Sequence, residues 1–327
     1  MNDLMTLDAA ARLIEHGTPC CVAGDLEALR QLPRGAWIGG SIPYFMGSQG
    51  GVVARDRVFV TALPPTPATR FETLSAEQVG QVVADGPEHG YSIVIVPGGS
   101  QAHARFAQDA STSAEALSKP TVGWVSGVHL DELATARPVV FDGRTGKAHT
   151  DGLVVARVDL PEDRLAVIEI VNIFEADGGD VLRFERGGFE IGEVLVNGER
   201  CSFAEYLLAR GNGDGRLPLV GNFGGASLNA SVKQVDSAAG RVALYAPVFP
   251  GVDYHLARPV ADHVETFRRH TADRSNDGVV FSCNCILNFV HGQFEGRSLG
   301  NTPTGPVTFG EIGYQLLNQT LVSLRIV

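Results

Sequence analysis

The chain is short of positive charge. It carries 26 Lys+Arg against 37 Asp+Glu, a formal net charge of -11, and no run of basic residues interleaved with aromatics. A polyanion would be repelled by the chain as a whole, which argues against nucleic acid as a partner. No apolar stretch reaches the ~20 residues of a bilayer-spanning helix, so no membrane association is expected. The first residues, Met1 to Glu15, hold Asp3, Asp8 and Glu15 where a secretory signal would hold a basic segment before an apolar core. Also missing are a Gly-x-Ser-x-Gly nucleophile elbow and a Cys-x-x-Cys-His haem attachment site.

Cysteine is sparse and oddly placed. Cys20 and Cys21 are adjacent, Cys283 and Cys285 are one residue apart, and Cys201 stands alone. Such spacings do not suit a disulfide framework, and a reducing cytoplasm is the expected location. No second Cys-x-x-Cys pair exists to complete a structural zinc, so no metal is expected.

Glycine and proline are plentiful, 39 and 17 of 327 residues. They imply many tight turns and favour a sheet-containing fold over a helical bundle. Leu4, Leu7, Ala11 and Leu13 to Ile14 have amphipathic spacing and predict an N-terminal helix. Cys20 to Ala23 reads as a strand and Asp25 to Leu32 as a helix capped by Asp25. Ala36 to Ile42 and Arg57 to Leu63 read as strands. Leu74 to Asp85 has helical spacing, and Tyr91 to Val96 is a β-branched run of the kind buried on both faces. It leads through Pro97-Gly98-Gly99-Ser100 into a helix from Gln101 through Ala110. That geometry serves either as an anion site at a helix N-terminus or as an ordinary turn.

Further strands are predicted at Val122 to Val128, Gly152 to Asp159 and Leu165 to Ile173, with a hairpin pairing Val139 to Phe141 against Ala148 to Val155. Beyond the polar Asp177-Gly178-Gly179-Asp180, Phe189 to Val196 reads as one strand ending in the Asn197-Gly198 turn. Ser202 to Ala209 is a capped helix with Glu205 at the third position. Asn212-Gly213-Asp214-Gly215 lacks the further ligands of a calcium loop and reads as a surface turn. Val242 to Pro247 is a strand and Val260 to His270 a helix. Gly278 to Ser282 is a buried strand delivering Cys283 at its end. The fold class expected is α+β, with two mixed, largely antiparallel sheet halves and flanking helices.

Read in order, several of these landmarks resemble the FIST domain family. They are Trp37-Ile38-Gly39-Gly40-Ser41, Thr121-Val122-Gly123-Trp124 and Asp151-Gly152-Leu153-Val154-Val155-Ala156-Arg157-Val158. Leu195-Val196-Asn197-Gly198 with Glu205-Tyr206-Leu207, Val279-Val280-Phe281-Ser282-Cys283 and Gly305 to Ile312 follow. The resemblance implies residues 1–178 as an N-terminal half and residues 179–327 as a C-terminal half, with a ligand cleft between them. It further implies a cytoplasmic sensory protein that binds a small organic ligand and signals through a separate protein. No cofactor is expected, although some relatives in that family bind haem, and a non-covalent haem is the alternative. The family usually has an Arg shortly after its Cys, where this chain has Asn284-Cys285-Ile286-Leu287-Asn288.

The candidate chemistry concentrates near the C-terminus. Cys283 and Cys285 fall two apart at the end of a buried strand, which puts both thiols on one face. They read as small buried hydrophobes, as ligand-lining groups, or in the case of Cys283 as a nucleophile. A nucleophile needs a base, which His255 or His291 could supply. Glu311, between Gly310 and Ile312, is either a surface charge or a semi-buried group that orients a ligand or acts as acid or base. Asn222, Gly224 and Gly225 form a polar loop suited to closing over a ligand. Tyr44 lies on a glycine-rich loop that reads as a lid or an interface. The competing class is an enzyme, a small-molecule hydrolase or lyase, using Cys283 as nucleophile or Glu311 with a histidine as acid and base. Asn318 and Gln319 read as turn residues before the final strand.

Overall fold

The computed structural model describes residues 2–65, 68–109 and 118–327. The protein is of the α+β class, with 17% helix and 43% strand. The described strands form four six-stranded sheets and one three-stranded sheet.

The first sheet is led by Asn2–Thr6, then Arg57–Ala62, Cys20–Gly24, Trp37–Ser41, Val140–Asp142 and Lys147–His149. In Cys20–Gly24 the alternation is legible: Cys20 and Val22 face helices Leu7–Glu15 and Leu26–Arg30, while Cys21 and Ala23 face the central core. A second sheet runs Gln315–Leu317, Glu311–Gly313, Thr121–Ser126, Gly90–Pro97, Leu153–Asp159 and Thr69–Leu74. Its Val94 and Val96 pack on Ala102 and Phe106 of helix Gln101–Asp109, and its Ile93 and Ile95 enter the central core. The third sheet, Ala166–Asn172, Thr320–Ile326, Val279–Cys285, Gly305–Thr308, Tyr44–Gly47 and Gly50–Val53, supplies Phe45, Phe281, Cys283 and Val322 to that core.

The fourth six-stranded sheet and the three-stranded sheet enclose a separate apolar cluster. There Leu182, Leu219, Val242 and Tyr254 pack against Phe203 and Leu207 of helix Phe203–Ala209. Strands from both sides of residue 178 share sheets. Glu311–Gly313 pairs with Thr121–Ser126, and Gly305–Thr308 pairs with Tyr44–Gly47.

Several elements differ from the sequence reading. The N-terminal helix starts at Leu7, because Asn2–Thr6 is claimed as an edge strand by Arg57–Ala62 and Thr6 caps the helix. Leu74–Asp85 is not one helix. Leu74 ends a strand, Ser75 and Gln78 form a capping box over a 3-10 turn, and a single helical turn follows at Gln81–Ala84. Phe189 to Val196 is broken at Gly192: Gly188–Ile191 pairs with Arg241–Val248, whereas Glu193–Val196 pairs with Glu199–Ser202 in another sheet. The hairpin of Val140–Asp142 closes on Lys147–His149, and Leu153–Asp159 departs to the second sheet. The helix after Ser100 spans Gln101–Asp109, with Ala110 outside the described residues. The strand carrying the cysteines runs through Val279–Cys285, so Cys283 lies inside it.

Candidate functional site

Glu311 opens the strand Glu311–Gly313, directly opposite Trp124 on one side and Leu317 on the other. Opposed residues of antiparallel strands share a face, so all three point into the central core. The pairing decides between the two sequence readings of Glu311: its exposure is 0%, and it is not a surface charge. Its Oε2 accepts hydrogen bonds from the Thr320 backbone N–H (3.3 Å) and hydroxyl (2.9 Å). Oε1 has no hydrogen-bond partner. Burial pushes the carboxyl from its ordinary 4.5 up to about 8; the Thr320 hydrogen bonds, and the nearby Cys285 thiol without a formed hydrogen bond, oppose the rise. At neutral pH most of Glu311 is therefore the neutral acid.

Cys283 and Cys285 share a face of their strand and are both buried. The Cys283 thiol donates to the Gly123 carbonyl at 3.3 Å. Gly123 has φ +155, and a Cβ there would strike the Val94 carbonyl oxygen, so only glycine lets the two parallel strands close at this point. Burial first, and Glu311 second, holds both thiol pKa values well above the ordinary range. A thiolate is the form that attacks, and this surrounding opposes it.

Asn284 and Asn288 add the polar groups that sequence reading passed over. Asn284 Oδ1 accepts from the Cys285 backbone N–H (2.7 Å) and from Asn288 Nδ2 (3.1 Å). Asn288 Nδ2 also donates to the Thr320 carbonyl at 3.4 Å. These bonds fix which way each amide is turned, since reversing Asn284 would set its N–H₂ against two other donors and reversing Asn288 would set oxygen against oxygen. Asn284 Nδ2 and Asn288 Oδ1 are left without partners, as are Asn318 Oδ1 and Gln319 Nε2. Gln319 Oε1 accepts from Ser231 Oγ at 2.7 Å. Asn318 and Gln319 are thus buried rather than solvated turn residues, and Gln319 holds a left-handed φ of 52. Thr320 joins the parts: Glu311 bonds its amide and hydroxyl, and Asn288 bonds its carbonyl. The sequence signal was a set of amide side chains inside apolar segments, one of them, Asn284, between the two cysteines.

The other sequence candidates lie elsewhere. The Tyr44 hydroxyl accepts from the Leu130 N–H at 2.9 Å, and its ring stacks on His129, so it clips a loop in place. Asn222, Gly224 and Gly225 form the tip of the hairpin between Leu219–Phe223 and Ala226–Ala230, where Asn222 Oδ1 accepts from the Gly225 N–H at 2.8 Å. His255 sits opposite Val220, with Nδ1 unpartnered. His291 ends helix Ile286–His291, and burial lowers its pKa. Neither histidine hydrogen-bonds to Glu311, Cys283 or Cys285, so the paired base that a cysteine nucleophile needs is not formed among the described residues. The Gly98-Gly99-Ser100 turn is no open anion site. The Ala102 and His103 N–H groups are taken by Asp151 Oδ1 (2.9 Å) and Ser100 Oγ (3.0 Å). Asn212 is buried and braces its own loop through both Leu217 backbone groups at 2.9 and 3.0 Å.

Two surface grooves, of about 420 and 600 Å³, lie along Glu193–Val196 and the Arg200 side chain. Three of their arginines are already paired: Arg183 with Asp253 (2.5 Å), Arg200 with Glu185 (2.7 Å) and Glu193 (2.9 Å), and Arg210 with Asp180 (2.8 Å). Neither groove is lined by Glu311 or by Cys283 and Cys285. Among the described residues no group of three His, Cys, Asp or Glu side chains is placed to hold a metal. Nor, among them, is any helix long and apolar enough to cross a membrane.

The structure therefore defines an α+β protein with a buried carboxyl joined through Thr320 to buried amide side chains. The chain matches the model of a family of unknown function (DUF6976) over residues 5–327 and belongs to that family. None of the curated proteins matches it.

Proposed function

We propose that the protein binds a small organic ligand at the Glu311 cluster and serves as a cytoplasmic sensory protein, with a separate signalling protein reading its occupancy. One observation carries this reading. Glu311 Oε1 is buried and unpartnered, and so are the nearby Asn284 Nδ2, Asn288 Oδ1, Asn318 Oδ1 and Gln319 Nε2. An unpaired buried polar group costs about 1–3 kcal/mol, so this carboxyl oxygen and the four amide atoms support a seat for a polar molecule. The seat falls where strands from before and after residue 178 meet, Thr121–Ser126 against Glu311–Gly313. The resemblance of the motif order to that of FIST domains supports a sensing role. Five free cysteines support a reducing compartment.

The test is native mass spectrometry of the purified protein, with a visible spectrum to register any haem, followed by thermal-shift screening of a metabolite library. Glu311→Leu serves as the control. A bound mass or a stabilising hit that disappears in Glu311→Leu is the expected result. A protein that carries no small molecule, and whose hits are the same with and without Glu311, would sink the proposal.

A further inference from the structure

We infer that the group seated at this cluster is neutral and carries both a hydrogen-bond donor and an acceptor, as a carboxamide or a urea does. This rests on the ligand-seat reading above and adds the chemistry of the occupant. The unpartnered atoms are of both kinds. Asn284 Nδ2 can only donate and Asn288 Oδ1 can only accept, each locked by the bonds on the other end of its amide. Glu311 Oε1, on a carboxyl whose other oxygen is occupied by Thr320, accepts in either protonation state and donates when it carries the proton.

An anion fits this set poorly. Among the described residues no Arg, Lys or His side chain hydrogen-bonds to Glu311, Asn284, Asn288, Asn318, Gln319 or Thr320, so a buried carboxylate or phosphate would lie beside a carboxyl with no counter-charge. A cation fits poorly for the opposite reason. It has donors only, and Asn284 Nδ2 would present it with another donor. A carboxamide satisfies all three: its oxygen accepts from Asn284 Nδ2 or from a protonated Glu311, and its N–H₂ donates to Asn288 Oδ1.

The experiment titrates the full-length protein, labelled with ¹⁵N and with ¹³C at glutamate carboxyls, with acetamide, methylammonium and acetate in turn at neutral pH. The side-chain amide signals of Asn284 and Asn288 report occupancy, and the Glu311 carboxyl signal reports its protonation. Acetamide should shift both amides saturably and leave Glu311 protonated. Its affinity should fall about tenfold in Asn284→Ala, the loss of one hydrogen bond of about 1.4 kcal/mol. Saturation by methylammonium with ionisation of Glu311, or saturation by acetate, would overturn the neutral assignment while leaving the seat in place. If none of the three probes moves these signals in the wild-type protein, the seat and the assignment fall together. The wild-type readout needs no variant, so it stands even if Asn284→Ala does not fold.

Discussion

Replacing Glu311 with glutamine should remove a pH dependence of stability that the wild-type protein carries across the neutral range. In the unfolded chain the carboxyl titrates near its ordinary 4.5; in the fold, burial moves it to about 8. Between those values the folded state holds a proton that the unfolded state has released. Stability therefore falls as pH rises, by about 1.4 kcal/mol per unit. Over the whole window this amounts to about 5 kcal/mol, present in full below pH 4.5 and lost by the time pH passes 8. Glutamine keeps an acceptor for Thr320 but has no proton to lose. Urea unfolding of both proteins at pH steps from about 5 to about 8 gives the comparison. The stability of wild type minus that of Glu311→Gln should decline by about 4 kcal/mol across those steps. His103, lowered by burial from 6.5 to about 4, contributes with the opposite sign, stabilising as pH rises through that window. It is present in both proteins and drops out of the difference. A difference that stays flat from about pH 5 to about pH 8 would refute the buried, proton-holding carboxyl on which the site is built.

Thr320→Val removes one of the two hydrogen bonds on Glu311 Oε2; it should lower stability by about 1–2 kcal/mol and move the Glu311 titration, followed by ¹³C NMR, upward. Arg157 is buried and bonds Glu72 (2.9 Å), the Val82 carbonyl (3.0 Å) and the Gln81 carbonyl (2.9 Å). Arg157→Ala leaves those acceptors behind and should cost about 3–5 kcal/mol in denaturant unfolding; a loss below about 1 kcal/mol would contradict the role of the guanidinium as the brace of that helical turn. Under native conditions iodoacetamide should label Cys201, which is partly exposed, well before the four buried cysteines. Peptide mapping that finds Cys283 or Cys285 modified first would contradict their enclosure.

Local features were legible where local chemistry decides them. Asp25 and Ser202 cap the helices that their side chains announce, accepting from the N–H groups of Glu27 and Glu205. The β-branched run at Tyr91 to Val96 became the central strand Gly90–Pro97. Asn197-Gly198 turned the chain with both residues left-handed. The division of strands among sheets was not legible, because Gly192 hands Gly188–Ile191 and Glu193–Val196 to partners that no local pattern names. Glu311 shows the same limit at the site: between a glycine and an isoleucine it suits surface or core equally, and Trp124 across the sheet settles the matter. The buried amides were hidden because Asn284, Asn288 and Gln319 each resemble ordinary polar residues until the fold bonds Asn284 to Asn288, Asn288 to Thr320 and Gln319 to Ser231.

Three of the last strands, Gly305–Thr308, Glu311–Gly313 and Thr320–Ile326, pair with Tyr44–Gly47, Thr121–Ser126 and Ala166–Asn172, laid down far earlier in the chain. During translation at roughly 5–20 residues per second, those earlier strands wait with an open edge until residues 305–326 leave the ribosome. Assembly is thus postponed until residues 305–326 have been made. The interval in which Ala166–Asn172 lies unpaired and Thr121–Ser126 keeps one open edge is when the nascent chain most needs shielding from neighbouring copies of itself.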